Sequence, residues 1–301
     1  MAGGAPSAQA GPRSPPGAPG ARSDWLNADK DGFGTAAAVS SKLWYTLERG
    51  SLTEVDYPRL DVPDVRSLQI VVSDGRHAVP QRSPRVEHHL VLADPRALEY
   101  RQTSTLPGRW RLTETFATDP ARPTLLIAVR FTALDESSYR LSAVYDPSLR
   151  NSPTGDSGRV AGAALLAHDG PIASALLSSR PFVRASTGAG PGNIVQTAQV
   201  GRAAVRSAGF TLALAFGSRE RRALAAARAD LGRWRRVSSA YAAGWHSYVA
   251  GLRPVPESAS TGLLRDEYLV SLMVLRASED RRSAARSSPR RRSRGDGSRP
   301  S

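Results

Sequence analysis

The chain has 301 residues, enough for one large domain or two ordinary ones, and 40% of them are hydrophobic, which suits a globular core. It has no cysteine, which excludes disulfides and thiolate metal sites, and no apolar run approaches the ~20 residues of a membrane-spanning helix. The net charge is +14, but residues 281–301 hold eight arginines against one acid, Asp296, so half of the excess lies in one segment.

Residues 1–23 are rich in Gly, Pro, Ala and Ser and read as a flexible leader that cannot pack a core. The first ten residues lack the basic start and apolar stretch of a secretion signal, so a cytoplasmic product is expected. From about 40 to 217 the pattern is one of strands. Leu125, Ile127, Val129 and Phe131 alternate with Leu126, Ala128 and Arg130; Tyr139, Leu141, Ala143 and Tyr145 repeat the alternation, as do Leu212, Leu214 and Phe216. Further strands are predicted at 43–48, 67–73, 88–93, 109–116, 160–167, 171–178 and 193–200. Asp74-Gly75, Asp119-Pro120, Asp146-Pro147 and Asp169-Gly170 punctuate them as turns. Ten or more short strands without helix-length patterns between them predict an antiparallel sandwich, not a parallel doubly wound sheet.

Three helices are predicted next. Residues 219–235 align Leu224, Ala227, Leu231 and Trp234, and residues 238–252 align Tyr241, Trp245, Tyr248 and Leu252. Pro254 and Pro256 break the chain before a third helix at 263–280, whose Leu264, Tyr268, Leu272 and Leu275 form a stripe made to be buried. The Arg/Ser tail after it has no hydrophobic period and is expected to be disordered and solvated. Two origins fit this tail: a shifted reading frame in a GC-rich coding sequence, or a true basic arm that binds polyanions in a salt-dependent way.

A series of short strings runs through the chain. They are Gly17-Ala-Pro-Gly-Ala21, Lys30-Asp-Gly-Phe-Gly-Thr35, Ser41-Lys-Leu-Trp-Tyr-Thr46 and Gly50-Ser-Leu-Thr-Glu-Val-Asp-Tyr-Pro58, then Val72-Ser-Asp-Gly75 and Thr118-Asp-Pro120. Asp146-Pro147, Gly192-Asn193 with Gln196, Phe216-Gly217, Gly244-Trp245 with Tyr248, and Ala277-Ser-Glu-Asp280 complete the series. In this order they resemble the N-terminal region of the bacterial glucoamylase and glucodextranase group, glycoside hydrolase family 15. The resemblance implies a mainly β fold: a β-supersandwich of the galactose-mutarotase type over 24–217, a helical linker over 218–256, and, at 263–280, the first helix of an (α/α) barrel that would hold the active site. It implies an inverting hydrolase with α-glucan or an oligosaccharide as substrate, worked by two carboxyl groups about 6.5–9.5 Å apart. In the family both are glutamates of the barrel, and no residue here matches them, so no catalytic residue is assigned and the chain itself is expected to be inactive. Two departures stand out: Arg281-Arg-Ser-Ala-Ala replaces the family's Gly-Ala turn and Pro-Trp-Gly string, and the segment Ser186–Gly192 is shorter than the family's insertion there.

Trp44 and Tyr57 are the candidate sugar-stacking residues, although Trp44 shares its strand with Leu43 and Leu47, as a core residue would. Glu54, Asp56 and Asp61 flank Tyr57-Pro58 in a predicted loop and read either as an acid–base pair or as a solvated turn. His88-His89 and His168-Asp169 are the places where a mutarotase-like His and carboxylate would have to lie. No metal-ligand spacing is present and no cofactor is implied. Gly188-Ala-Gly-Pro-Gly192 lacks the Lys-Ser/Thr of a phosphate loop. The expected function is therefore an accessory domain of a glucoamylase-like hydrolase; the alternative is a free-standing carbohydrate-binding or partner-binding sandwich. No specific nucleic acid and no membrane is expected as partner, and self-association through helix 263–280 is.

Overall fold

The computed structural model describes residues 30–152, 155–188, 194–279 and 281. Among these residues sixteen strands, numbered in chain order, form two antiparallel sheets. The first sheet runs β1 (Gly32–Gly34), β2 (Trp44–Glu48), β3 (Ser51–Asp56), β4 (Val65–Ser73), β10 (Arg140–Pro147), β15 (Gln196–Val200) and β14 (Phe182–Thr187), with β5 (Ala78–Pro80) on β4. The second runs β11 (Ser157–Ala161), β12 (Ala164–Asp169), β13 (Ile172–Ser178), β16 (Ser207–Gly217), β9 (Thr124–Ala133), β8 (Trp110–Thr118), β7 (Glu99–Leu106) and β6 (Glu87–Asp94).

The inner faces meet through large rings. Tyr45 of β2 stacks on Phe116 of β8 at 5.8 Å, Phe131 of β9 meets Tyr139 edge-on at 5.7 Å, and the Tyr145 hydroxyl of β10 donates to Ser174 Oγ of β13 at 2.8 Å. Alternation along β10 sends Leu141, Ala143 and Tyr145 into this core, as period-2 patterning requires.

Three helices close the outside. Helix α1 (Glu220–Asp230) lays Ala223 and Ala227 on Leu126, Ala175 and Ala213 of the second sheet's outer face. Helix α2 (Trp234–Ala250) packs by β8 and β9 of the second sheet and ties the two sheets together: Trp245 Nε1 donates to Thr35 O, just after β1, at 3.0 Å, and the Tyr241 hydroxyl to Leu98 O, just before β7, at 2.7 Å. Helix α3 (Gly262–Ala277) buries Leu269, Met273 and Ala277, and its last carbonyl accepts from Trp44 Nε1 at 2.8 Å. Among the described residues no helix is long and apolar enough to cross a membrane.

Several expectations are corrected. The stripe Leu264–Leu275 is not the face α3 buries. Leu264 and Leu275 stay 56% and 67% exposed, because the helix carries a second apolar stripe one residue over, at 269, 273 and 277, and that one docks. The predicted strand 160–167 is two strands turning at Gly162, where φ is +60°, and the helix 219–235 ends before Gly232. The segment with Glu54 and Asp56 is strand β3, not a loop. Arg281, expected to open an unpacked tail, is 7% exposed. Its Nη2 donates to Ala36 O at 2.8 Å, its Nη1 to Ser41 O, and its Cζ lies 4.8 Å from the Trp44 ring centroid. The leader 1–23 and the rest of the tail, 282–301, lie outside the described residues.

Candidate functional site

A cleft of about 390 Å³ opens on the first sheet, lined by Phe33, Thr46, Glu54, Asp56, Leu60, Asp61, Pro63 and Asn151. Strands β2 and β3 build its floor. Their ladder pairs Trp44 with Asp56 and Tyr45 with Val55, then shifts register so that Thr46 faces Thr53. Glu54 is the extra residue of this bulge, with φ +44°, a left-handed backbone that few non-glycine residues adopt. Glu54 and Asp56, two residues apart on β3, both line the cavity. Beyond Asp56 the chain turns back on itself: Tyr57 N donates to Val62 O at 3.1 Å, Asp64 N to Val55 O at 2.8 Å, and Asp56 bridges Pro63.

The carboxyls differ in partners. Glu54 meets Lys30 Nζ at 3.2 Å, and Lys30 also faces Glu48 at 3.6 Å. Asp61 accepts from Arg59 Nε at 2.6 Å in the exposed turn. Asp56 is 7% exposed, and its side chain makes no hydrogen bond or ion pair among the described residues. Burial pushes its carboxyl up to about 8, helped by the negative Glu54 and Asp61 and opposed by Lys30. Beneath it Asp64, fully buried, accepts from Arg150 N at 2.7 Å through Oδ1 while Oδ2 has no partner; burial raises it to about 8 as well. Asp146 and Asp156 extend this buried acidic end and are raised to about 8 and about 7 by the same cause.

The sequence candidates fall as follows. Tyr57 is half-buried beside the cleft, its ring stacked 5.5 Å from Phe216. Trp44 is 2% exposed under α3 and Arg281, so it presents no ring face to a sugar in this structure. Glu54, Asp56 and Asp61 are brought together; the histidines are not. His88 lies on the edge strand β6, its Nδ1 3.2 Å from Ser104 Oγ, and burial lowers its affinity for a proton. His168 lies on β12 toward the opposite edge, 3.2 Å from Glu220 Oε1. Among the described residues no group of three or more His, Asp or Glu is placed to hold a metal. Of the glycine-rich turn 188–192 only Gly188 is described. Sequence reading missed Phe33, Thr46 and Asn151 as cleft residues; Phe33 and Thr46 stood in quoted strings, whereas Asn151 carried no signal.

The family described as "Glucodextranase, domain N" matches residues 15–190 and 187–250. The chain belongs to the glucodextranase N-domain family. The match runs from residue 15 through both sheets, α1 and α2; α3 and Arg281 lie past it. The chain is 29% identical over 293 aligned positions to a glucoamylase of Clostridium sp. (strain G0005), covering 87% of this chain and 41% of that protein. It superposes with a TM-score of 0.77 on a bacterial glucoamylase crystallised with acarbose, at 26% identity, covering 85% of this chain and 42% of that one. This N-domain chain thus spans about two-fifths of the length of the glucoamylases it matches.

Proposed function

We propose that the chain serves as the accessory N-terminal sandwich of a glucoamylase-like α-glucan hydrolase and does not hydrolyse glucan itself. The observation that carries this is the continuous likeness of both sheets and the following helices to a glucoamylase at a TM-score of 0.77, over only 42% of that enzyme. The cleft supports it chemically. An inverting glycosidase needs one free acid and one free base facing each other across the sugar. Here Glu54 is engaged by Lys30 and Asp61 by Arg59, which leaves Asp56 without a second free carboxylate in the cavity.

The test is direct. The purified 301-residue chain should release no glucose from starch, dextrin or dextran above background, since positioned acid–base groups each supply about 10²–10⁴-fold. Turnover that survives purification and disappears in Glu54→Gln or Asp56→Asn would overturn the reading. Retention on immobilised starch without hydrolysis would favour a carbohydrate-binding module instead. One observation favours a further contact: the outer stripe of α3 leaves Leu264 at 56% and Leu275 at 67% exposure, an apolar surface suited to a second copy of the chain.

A further inference from the structure

A separate cavity, of about 270 Å³, opens at the far end of β4 and β10 from the cleft. Asp74 and His77 reach it from the turn between β4 and β5, Pro107 and Arg109 from the turn between β7 and β8, and Tyr139 from the segment that leads into β10. Its floor is apolar: Val72, Val79 and Trp110 belong to the sandwich core and are almost wholly buried.

The rim is organised around one arginine. Arg109 donates from Nη2 to Asp74 Oδ2 at 2.9 Å and from Nε to the Tyr139 hydroxyl at 3.0 Å, and the same Nε stands 3.2 Å from Asp135 Oδ2. Tyr139 in turn donates to Asp135 at 2.8 Å. Among the described residues Arg109 Nη1 has no acceptor, and the Arg85 guanidinium on the same rim has none either. The Asp74–Arg109 pair thus sets an acceptor beside a donor, both held in place before any ligand arrives.

We propose that this cavity binds a single pyranose ring, with two neighbouring hydroxyls on the Asp74–Arg109 pair and a C–H face on the apolar floor. Adjacent hydroxyls are the complement of such a pair, because one donates to the carboxylate while the next accepts from the guanidinium. An anion would face Asp74 and Asp135 along with the arginines, and an ammonium would face Arg85 and Arg109, so neither sign of charge is favoured. A wholly apolar ligand would strip water from Asp74 and Arg109 and replace none of its hydrogen bonds. The volume sets the size. It lies below the ~300–1,000 Å³ of pockets for drug-sized ligands, which leaves room for one ring and not for a chain. Binding of one ring and hydrolysis of a polymer are separate events, so failure of either leaves the other standing.

The full chain is titrated with methyl α-D-glucopyranoside, and with cyclohexanol and sodium cyclohexanecarboxylate as six-membered rings that lack the paired hydroxyls. Binding is read from backbone amide shifts and by calorimetry. The sugar should saturate with a Kd on the order of 1–10 mM, the scale for a dozen non-hydrogen atoms, and should move the amides of Gly75 and Gly108 in the two turns. Both control rings should bind at least tenfold more weakly. Asp74→Asn should also cost at least tenfold, since it keeps the oxygen that accepts from the Arg76 and His77 amides and loses the acceptor that faces Arg109. Arg85→Gln, at an exposed side chain, should weaken binding severalfold at an unchanged melting temperature, which covers the case in which Asp74→Asn does not fold. Arg228→Gln, the same charge change on α1, should leave binding unchanged. No saturation, equal binding of cyclohexanol, tighter binding of the carboxylate, or shifts confined to residues 54–61 of the cleft overturns the proposal.

Discussion

Arg281 covers Trp44: its guanidinium carbon stands 4.8 Å from the indole centroid while the indole Nε1 donates to Ala277 O at 2.8 Å on the other end of the same contact. One arginine thus seals the seam between α3 and the first sheet. It does so with two carbonyl acceptors, Ala36 O and Ser41 O, so its charge is buried with partners rather than bare.

Arg281→Ala should therefore lower stability by about 2 kcal/mol, the combined scale of a desolvated cation–π contact and a charged hydrogen bond. Arg281→Lys should recover little, since lysine lacks the planar fork that reaches both carbonyls. Thermal melts of chains ending at 280 and at 281 give a second reading. The longer chain should hold the wild-type transition and the shorter should lose it; equal transitions would show the clasp to be idle.

The buried acids set a pH trend. Asp56, Asp64 and Asp146 are raised to about 8 and Asp156 to about 7, against 3.8 in the open chain. Below pH 4 each is neutral folded or unfolded and costs nothing. As pH climbs from 4 to 8 the unfolded chain ionises while the fold keeps the protons, so the native state binds more protons and stability falls. Above about 8 the loss levels off. The melting temperature should thus be higher at pH 5 than at pH 8.5, and Asp56→Asn should stabilise the chain by a few kcal/mol at pH 8.5 and hardly at all at pH 4. A melting temperature that rises with pH over this range would contradict the account.

Gly34 has no room for a side chain. A Cβ there would stand 2.4 Å from Cζ and Oη of Tyr45, a fully buried ring that cannot swing away. Gly34→Ala should cost about 1–3 kcal/mol by overpacking, and the double variant Gly34→Ala, Tyr45→Phe should recover part of it by removing the hydroxyl. A neutral Gly34→Ala in a chemical-denaturation series would refute this.

The two faces of α3 should separate in experiment. Met273→Ala, on the docked face, should cost about 2–5 kcal/mol. Leu264→Glu with Leu275→Glu, on the open face, should leave the melting transition within about 0.5 kcal/mol while reducing concentration-dependent light scattering. A wild-type chain that sediments as a monomer at every concentration would remove the self-association reading.

What the sequence disclosed follows from its chemistry. Strands with an apolar face, such as β9 and β10, alternate visibly. Strand β7 does not: of its inward residues Tyr100, Gln102 and Ser104 two are polar, and Gln102 is tied to a buried acid, its Nε2 3.0 Å from Glu114 Oε2. Strand β3 was hidden for a related reason, since Glu54 and Asp56 read as solvent residues although one is bulged and the other buried. Helix α3 is apolar on two adjacent stripes, so periodicity predicted the helix but not which face would dock. The acids of the cleft were legible; their alignment with Phe33 and Asn151 was not, because Asn151 arrives from a turn after β10, nearly a hundred residues away.

The placement of the two indole donors has a consequence for how the chain is made. Trp245 binds Thr35 across 210 residues and Trp44 binds Ala277 across 233. Thr35 and Trp44 therefore wait for these partners until α2 and α3 have left the ribosome. At roughly 5–20 residues per second that is a wait of about 10–40 s. A stop in synthesis between residues 217 and 281 would release a sandwich already largely paired but still missing its cover, the kind of species that cellular holdases capture. Yield in a cell should thus respond to translation speed and chaperone supply more sharply than the stability of the finished fold suggests.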